Sequence, residues 1–213
     1  MSKNTRNRIL LTAIAALLLV AVAVGGTMAY LQATSNEVTN TFKPTGLSID
    51  LNEHDYDPNS NTLDTNATPV KANDDYKVVP GVDIPKDPYV TFSSDVACYV
   101  FITVEETNWP KKADGTRLMD YAILSDWTKL ENGVYYQLFT DATDKVLDAA
   151  ITDKKLNILE GDKVTVSTDI TLTEMAAIKA ANPTLEFDAF IIQQAGFADA
   201  AAAWTAAKTS VNP

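Results

Sequence analysis

The chain has 213 residues, with 17 lysines and arginines against 28 aspartates and glutamates, one histidine and one cysteine. A formal charge of −11 argues against nucleic acid or anionic lipid as partners, because their phosphates would be repelled. Cys98 as the only cysteine excludes an intramolecular disulfide, and His54 as the only histidine excludes an H-E-x-x-H site.

The first eight residues carry Lys3, Arg6 and Arg8 and no acid, and Ile9 to Val24 follows as sixteen uncharged, mostly apolar residues. A helix crossing the bilayer core needs roughly 20 apolar residues, and a secretory h-region about 7–15, so this stretch lies between the two. Gly25-Gly26 breaks the helix, and Thr27 and Ala29 are the small residues of an A-x-A-like cleavage site. Residues 1–29 are therefore expected to be a signal peptide cut before Tyr30, with an uncleaved N-terminal anchor as the alternative. The cut removes three basic residues, leaving 184 residues with 14 basic against 28 acidic groups, a formal −14. That length suits one domain with a sizeable core, spanning 42–213 after an extended segment at 30–41.

Strand signals dominate the mature chain. "GLSIDLNE" alternates Leu47, Ile49 and Leu51 against Ser48, Asp50 and Asn52, the period of a half-buried strand. Residues 53–75 are polar and turn-rich without periodicity and read as a long surface loop. "VVPGVDIPKDPYVTF" predicts a Pro80-Gly81 turn and a sheet-edge piece until Pro88 is passed. "VACYVFITVEE" reads as a central strand with Cys98 as a buried small hydrophobe. In "WTKLENGVYYQLF", Asn132-Gly133 predicts a type I′ hairpin with Leu130, Tyr136 and Leu138 on one face. "KVTVSTDITL" places Val164, Val166, Thr168 and Ile170 on one side of a strand. Thr173 to Asn182 predicts a helix capped by Thr173 and stopped by Pro183. "TLEFDAFIIQQ" returns to strand, and "FADAAAAWTAAK" predicts a helix with Phe197, Ala201 and Trp204 on one face. Short strands, spaced turns and two short helices predict an all-β chain: an antiparallel jelly-roll-like β-sandwich with a single hydrophobic core.

Catalytic chemistry is hard to place. A Ser-His-Asp or Cys-His arrangement would have to use His54, which reads as a solvated loop residue, and Glu105-Glu106 point to opposite faces of one strand. No catalytic residue is expected. In "DYDPNSNTLDTN", Asp55, Asp57, Asn59 and Asn61 fall at positions one, three, five and seven of a calcium-loop template. Ser60 and Asn66 stand where that template wants Gly and Glu, so calcium is a weak candidate and no cofactor is otherwise expected. Trp109 in "TNWPKKADGT" is the one residue that would advertise a glycan-binding module, and it fits equally well as the cap of a core.

Several pieces, in order, resemble the TasA/camelysin family of exported proteins of Gram-positive bacteria. "GGTMAYL" resembles the family's leader end, "VTNTFKPTGLSIDLNE" its first mature segment and strand, and "VVPGVDIPKDPYVTF" its Pro-Gly…Lys-Asp-Pro-x-Val run. "ACYVFITVEE" resembles the strand that follows, and "DAFIIQQAGF" with "AAAAW" the C-terminal signature of clostridial-type relatives. The chain departs from the family at Phe92, where relatives often carry Asn, in the length of its acidic segment 53–75, and in lacking a wall-sorting signal.

The resemblance implies release by a SipW-type signal peptidase and a secreted jelly-roll domain at the cell surface or in the biofilm matrix. It implies a homo-oligomer or filament beside other matrix or cell-wall components, in which the freed N-terminal segment pairs with the neighbouring subunit. Tyr30 to Phe42, including Leu31 and Val38, carries no Gly or Pro and suits such a donor strand. The same family implies an alternative, a camelysin-like metal-dependent surface peptidase, for which the sequence offers no zinc ligand set beyond His54 and scattered carboxylates. A monomeric secreted binding module is the third possibility.

Overall fold

The computed structural model describes residues 46–140 and 146–211. The expected cleavage residues Thr27, Ala29 and Tyr30, and the candidate donor residues Leu31, Val38 and Phe42, lie outside them. Among the described residues no helix is long and apolar enough to cross a membrane.

The described chain is predominantly β with two short helices, and all its strand pairs are antiparallel. One three-stranded sheet has β1 (Leu47–Asn52) and β10 (Val146–Asn157) on either side of β5 (Tyr89–Val96). A four-stranded sheet runs in the order β12 (Thr184–Gln193), β6 (Cys98–Thr107), β9 (Val134–Phe139), β8 (Thr128–Glu131). A small sheet pairs β11 (Lys163–Val166) with β4 (Ile84–Pro85) and β7 (Met119–Asp120), and β2 (Asp55–Asp57) pairs with β3 (Thr62–Asp64). The helices are α1 (Leu172–Ala181) and α2 (Ala200–Val211).

Period-two alternation decides the layers. Val90 and Phe92 of β5 and Cys98, Val100 and Ile102 of β6 meet in one buried cluster, into which Leu47, Ile49 and Leu51 of β1 also pack. The two larger sheets therefore share a core. Phe92 sits at its centre, 1% exposed and 4.7 Å from the ring of Phe139. The intervening residues of β6, Tyr99 and Phe101, face the other way and are covered by Ala200, Ala203, Trp204 and Ala207 of α2. Burial on both faces is why β6 reads as an unbroken apolar run.

Several expectations need correction. Among the described residues three hydrophobic clusters are present instead of one, the third built on Ile84, Met119, Val164 and Val166. Segment 53–75 is not a plain surface loop: it holds the β2–β3 hairpin, with Tyr56 3% exposed and its ring tilted against that of Tyr76 at 4.6 Å. At Asn132-Gly133 only the glycine has positive φ (+72°), so the turn is not type I′. The β8–β9 register shifts between Lys129 and Glu131, and such a bulge supplies the twist that a type I′ turn would have given. Leu130 and Tyr136 share the α2-facing side, but Leu138 beyond them is 40% exposed. Helix α1 is capped by Thr171, whose hydroxyl accepts from Glu174 N at 3.2 Å while the Glu174 carboxylate accepts from Thr171 N at 2.8 Å. Thr173 lies inside the helix, and Asn182 closes it in the left-handed region before Pro183. In α2, Ala201 is exposed; Ala200, Ala203, Trp204 and Ala207 form the buried stripe.

Candidate functional site

Glu53 continues the inward parity of Leu47, Ile49 and Leu51, so the end of β1 drives a carboxylate into the interior, where it is 5% exposed. Burial of a charge at this depth demands partners. Lys86, just after β4 and 8% exposed, donates from Nζ to Oε2 at 2.7 Å. Asn73 donates to Oε1 from both its main-chain N and its Nδ2, each at 2.8 Å, and the Tyr76 hydroxyl donates to Oε2 at 3.4 Å. The Asn73 amide is itself fixed: Nδ2 also donates to His54 O at 3.0 Å, and Oδ1 accepts from Tyr56 N at 2.9 Å. The Lys86 ammonium lies 5.0 Å from the Tyr76 ring centroid and 6.0 Å from that of Phe187. Burial, followed by the Glu53 charge, pushes the Tyr76 hydroxyl well above the ordinary tyrosine range, so it stays a neutral donor.

The next residue of each segment repeats the clasp. His54 N donates to Asp87 Oδ1 at 3.1 Å, and His54 Nδ1 lies 2.5 Å from Asp87 Oδ2. His54 is therefore not the solvated loop histidine expected from its polar surroundings; its side chain is 14% exposed and its ring sits 5.4 Å from Tyr89. Burial and then the Asp87 charge push the Asp162 carboxyl upward, with Lys155 and His54 opposing. Glu53-His54 and Lys86-Asp87 thus lock the end of β1 to the β4–β5 junction through two consecutive pairs.

This floor opens into a cleft of about 1030 Å³. Its walls are the end of β1, the segment 71–79, the C-terminal part of α1, the first half of β12, and Trp109, Met119 and Val164 of the third cluster. Lys71, Lys77 and Lys179 line it together with Asp74, Glu186 and Asp188, so it carries charge of both signs beside apolar residues. Thr184–Asp188 line the cleft, and no described strand pairs with β12 on the side away from β6. A second wall, 74–78, makes no main-chain hydrogen bond to any described residue. Unpaired edges of this kind are templates for another strand. Glu53, with four donors on its two oxygens, is committed as an acceptor and is not poised as a general base toward a guest.

The remaining candidates are dispersed. Asp55 and Asp57 flank the buried Tyr56 on β2; Asp57 accepts from Asn59 N and Ser60 Oγ, both at 2.8 Å, and so caps the turn. Asn61, at φ +55°, donates to Asp83 O at 3.1 Å and accepts from Tyr56 OH at 2.9 Å. Among the described residues no group of three or more His, Cys, Asp or Glu is placed to hold a metal. Asp87 engages Nδ1 of the single histidine and leaves Nε2 as its one remaining ligand nitrogen. Trp109 serves as a core cap: Nε1 donates to Met119 O at 2.9 Å, and its ring meets Tyr121 edge-on at 5.7 Å. Glu105 is exposed, whereas Glu106 is held by Arg117 Nη2 at 2.5 Å and the Tyr121 hydroxyl at 2.8 Å. Cys98 is fully buried, and burial raises its thiol above the ordinary range.

Sequence reasoning missed Glu53, Asn73 and Lys86. One signal was available, since Glu53 occupies the next inward position after three alternating apolar residues. Compared with family models, with curated proteins and with solved structures, the chain matches none of them, so the likeness to the TasA/camelysin family rests on the quoted sequence motifs alone.

Proposed function

We propose that the protein is an exported, non-catalytic component of the cell surface or biofilm matrix that assembles by strand donation. In this reading the sandwich is of jelly-roll type, a SipW-type peptidase cuts after Ala29, and the freed segment 30–41 of one copy pairs with β12 in the cleft of the next. The observation that carries it is the outer edge of β12, unpaired among the described residues, along an open cleft whose other wall, 74–78, makes no main-chain hydrogen bond to a described residue. Five residues of edge need a strand of about 17 Å, and the twelve residues 30–41 supply about 40 Å when extended. A contact between one copy's tail and another's groove does not close on itself and so propagates into a filament.

Electron microscopy of two purified forms tests this. Protein starting at Tyr30 is expected to form filaments and protein starting at Phe42 to stay dispersed. Filaments that persist without the segment would remove the mechanism.

A further inference from the structure

We propose that Lys86 and Asn73 become joined by an intramolecular isopeptide bond, with Glu53 carrying the protons. The amine and the amide sit on the two oxygens of one buried carboxylate: Lys86 Nζ is 2.7 Å from Oε2 and Asn73 Nδ2 is 2.8 Å from Oε1. Each partner is placed for its role. Nζ, walled by the rings of Tyr76 and Phe187, has the Glu53 carboxylate beside it to take its proton and expose the lone pair. The Asn73 carbonyl oxygen already accepts from Tyr56 N at 2.9 Å, a donor aimed where negative charge develops during attack. Its nitrogen is held by Glu53 and by His54 O at 3.0 Å, which fixes the plane of the amide.

The reaction balances without any oxidant or cofactor. Nζ attacks Asn73 Cγ, forming the Nζ–Cγ bond and placing the carbonyl electron pair on Oδ1. Collapse of that intermediate breaks Cγ–Nδ2. Lys86 loses two of its three protons, Glu53 relays both to the departing nitrogen, and this leaves as ammonium while Glu53 returns to carboxylate. The product replaces one positive charge and one primary amide by a neutral secondary amide. A chain with one cysteine has no disulfide to staple it, and a link from 73 to 86 would tie the cleft wall to the β4–β5 junction. The bond requires no assembly and stands or falls independently of the filament.

Intact-mass spectrometry of the purified full chain, followed by tryptic mapping, tests it. The expected mass is lower than the sequence mass by one ammonia. Trypsin, no longer cutting at Lys86, should release residues 72–77 joined to 78–111. Glu53→Gln, Lys86→Arg and Asn73→Ala should each keep the full mass. A wild-type chain at full mass, with ordinary cleavage at Lys86, would overturn the proposal. So would loss of ammonia with Lys86 still cleaved, the mark of a succinimide at an asparagine. Linkage in Glu53→Gln as complete as in the wild type would remove Glu53 from its assigned role.

Discussion

Replacing Trp204 by alanine should release the C-terminal helix from the sandwich. The helix offers the four-stranded sheet three buried alanines, which bury little area, and one tryptophan, 7% exposed, with ring centroids 5.4 Å from Phe101 and 5.3 Å from Phe190. A buried tryptophan covers roughly 150–250 Å². At about 25 cal/mol per Å² that burial amounts to about 4–6 kcal/mol. The Nε1 bond to Glu131 Oε1 at 2.8 Å adds little to the loss, because Glu131 is exposed and regains water. Tryptophan-to-alanine changes in cores typically cost about 3–5 kcal/mol, which for a domain of this size lowers Tm by about 6–20 °C. A twelve-residue helix without its anchor is marginal in water, so amide exchange across 200–211 should rise toward the unprotected rate. Ala201→Gln, on the exposed side, is the control and should change stability by no more than about 0.5 kcal/mol. A loss below about 1 kcal/mol for Trp204→Ala, with 200–211 still protected, would refute the anchoring role, since the typical cost is several times larger.

Two further outcomes follow from the buried polar groups and the thiol. Burial pushes Glu106 upward, but Arg117 and Tyr121 outweigh it and hold its carboxyl below the ordinary range. A depressed folded-state value means that its stabilisation is present above the unfolded value, about 4.3, and is lost as pH falls through the folded one. The stability gap between wild type and Glu106→Gln should therefore be widest near neutrality and narrow in acid; a gap independent of pH would contradict the pairing. Cys98, fully buried with its thiol raised by burial, should resist a thiol reagent in native buffer and react fully in denaturant, as absorbance titration would read.

Much of the β framework was legible because period-two burial writes itself into sequence. Leu47, Ile49 and Leu51 announced β1, and the apolar run from Cys98 to Ile102 announced a central strand, which lies between β12 and β9. Local turn chemistry was legible only in part. The Thr171–Glu174 capping box stands in the sequence at its proper spacing of three, yet Thr173 competes with it, and only the helix geometry decides. Asn-Gly suggested a type I′ turn, but the bulge in β8 altered what the turn must do. The candidate site was the least legible. Its pairs join residues 33 positions apart, and neither hydrophobic periodicity nor composition encodes which buried charge meets which. The His54 neighbourhood is rich in Asp and Asn, and polar composition there masked a histidine that is clasped and nearly covered.

The central claim, that a second copy's N-terminal segment completes β12 within the cleft, is tested most directly by hydrogen exchange on protein starting at Tyr30 beside protein starting at Phe42. The amides of 184–188 that point away from β6, and those of 74–78, should be protected in the longer form once assembled and exchange freely in the shorter one. Equal exchange of both stretches in assembled and truncated protein would contradict it.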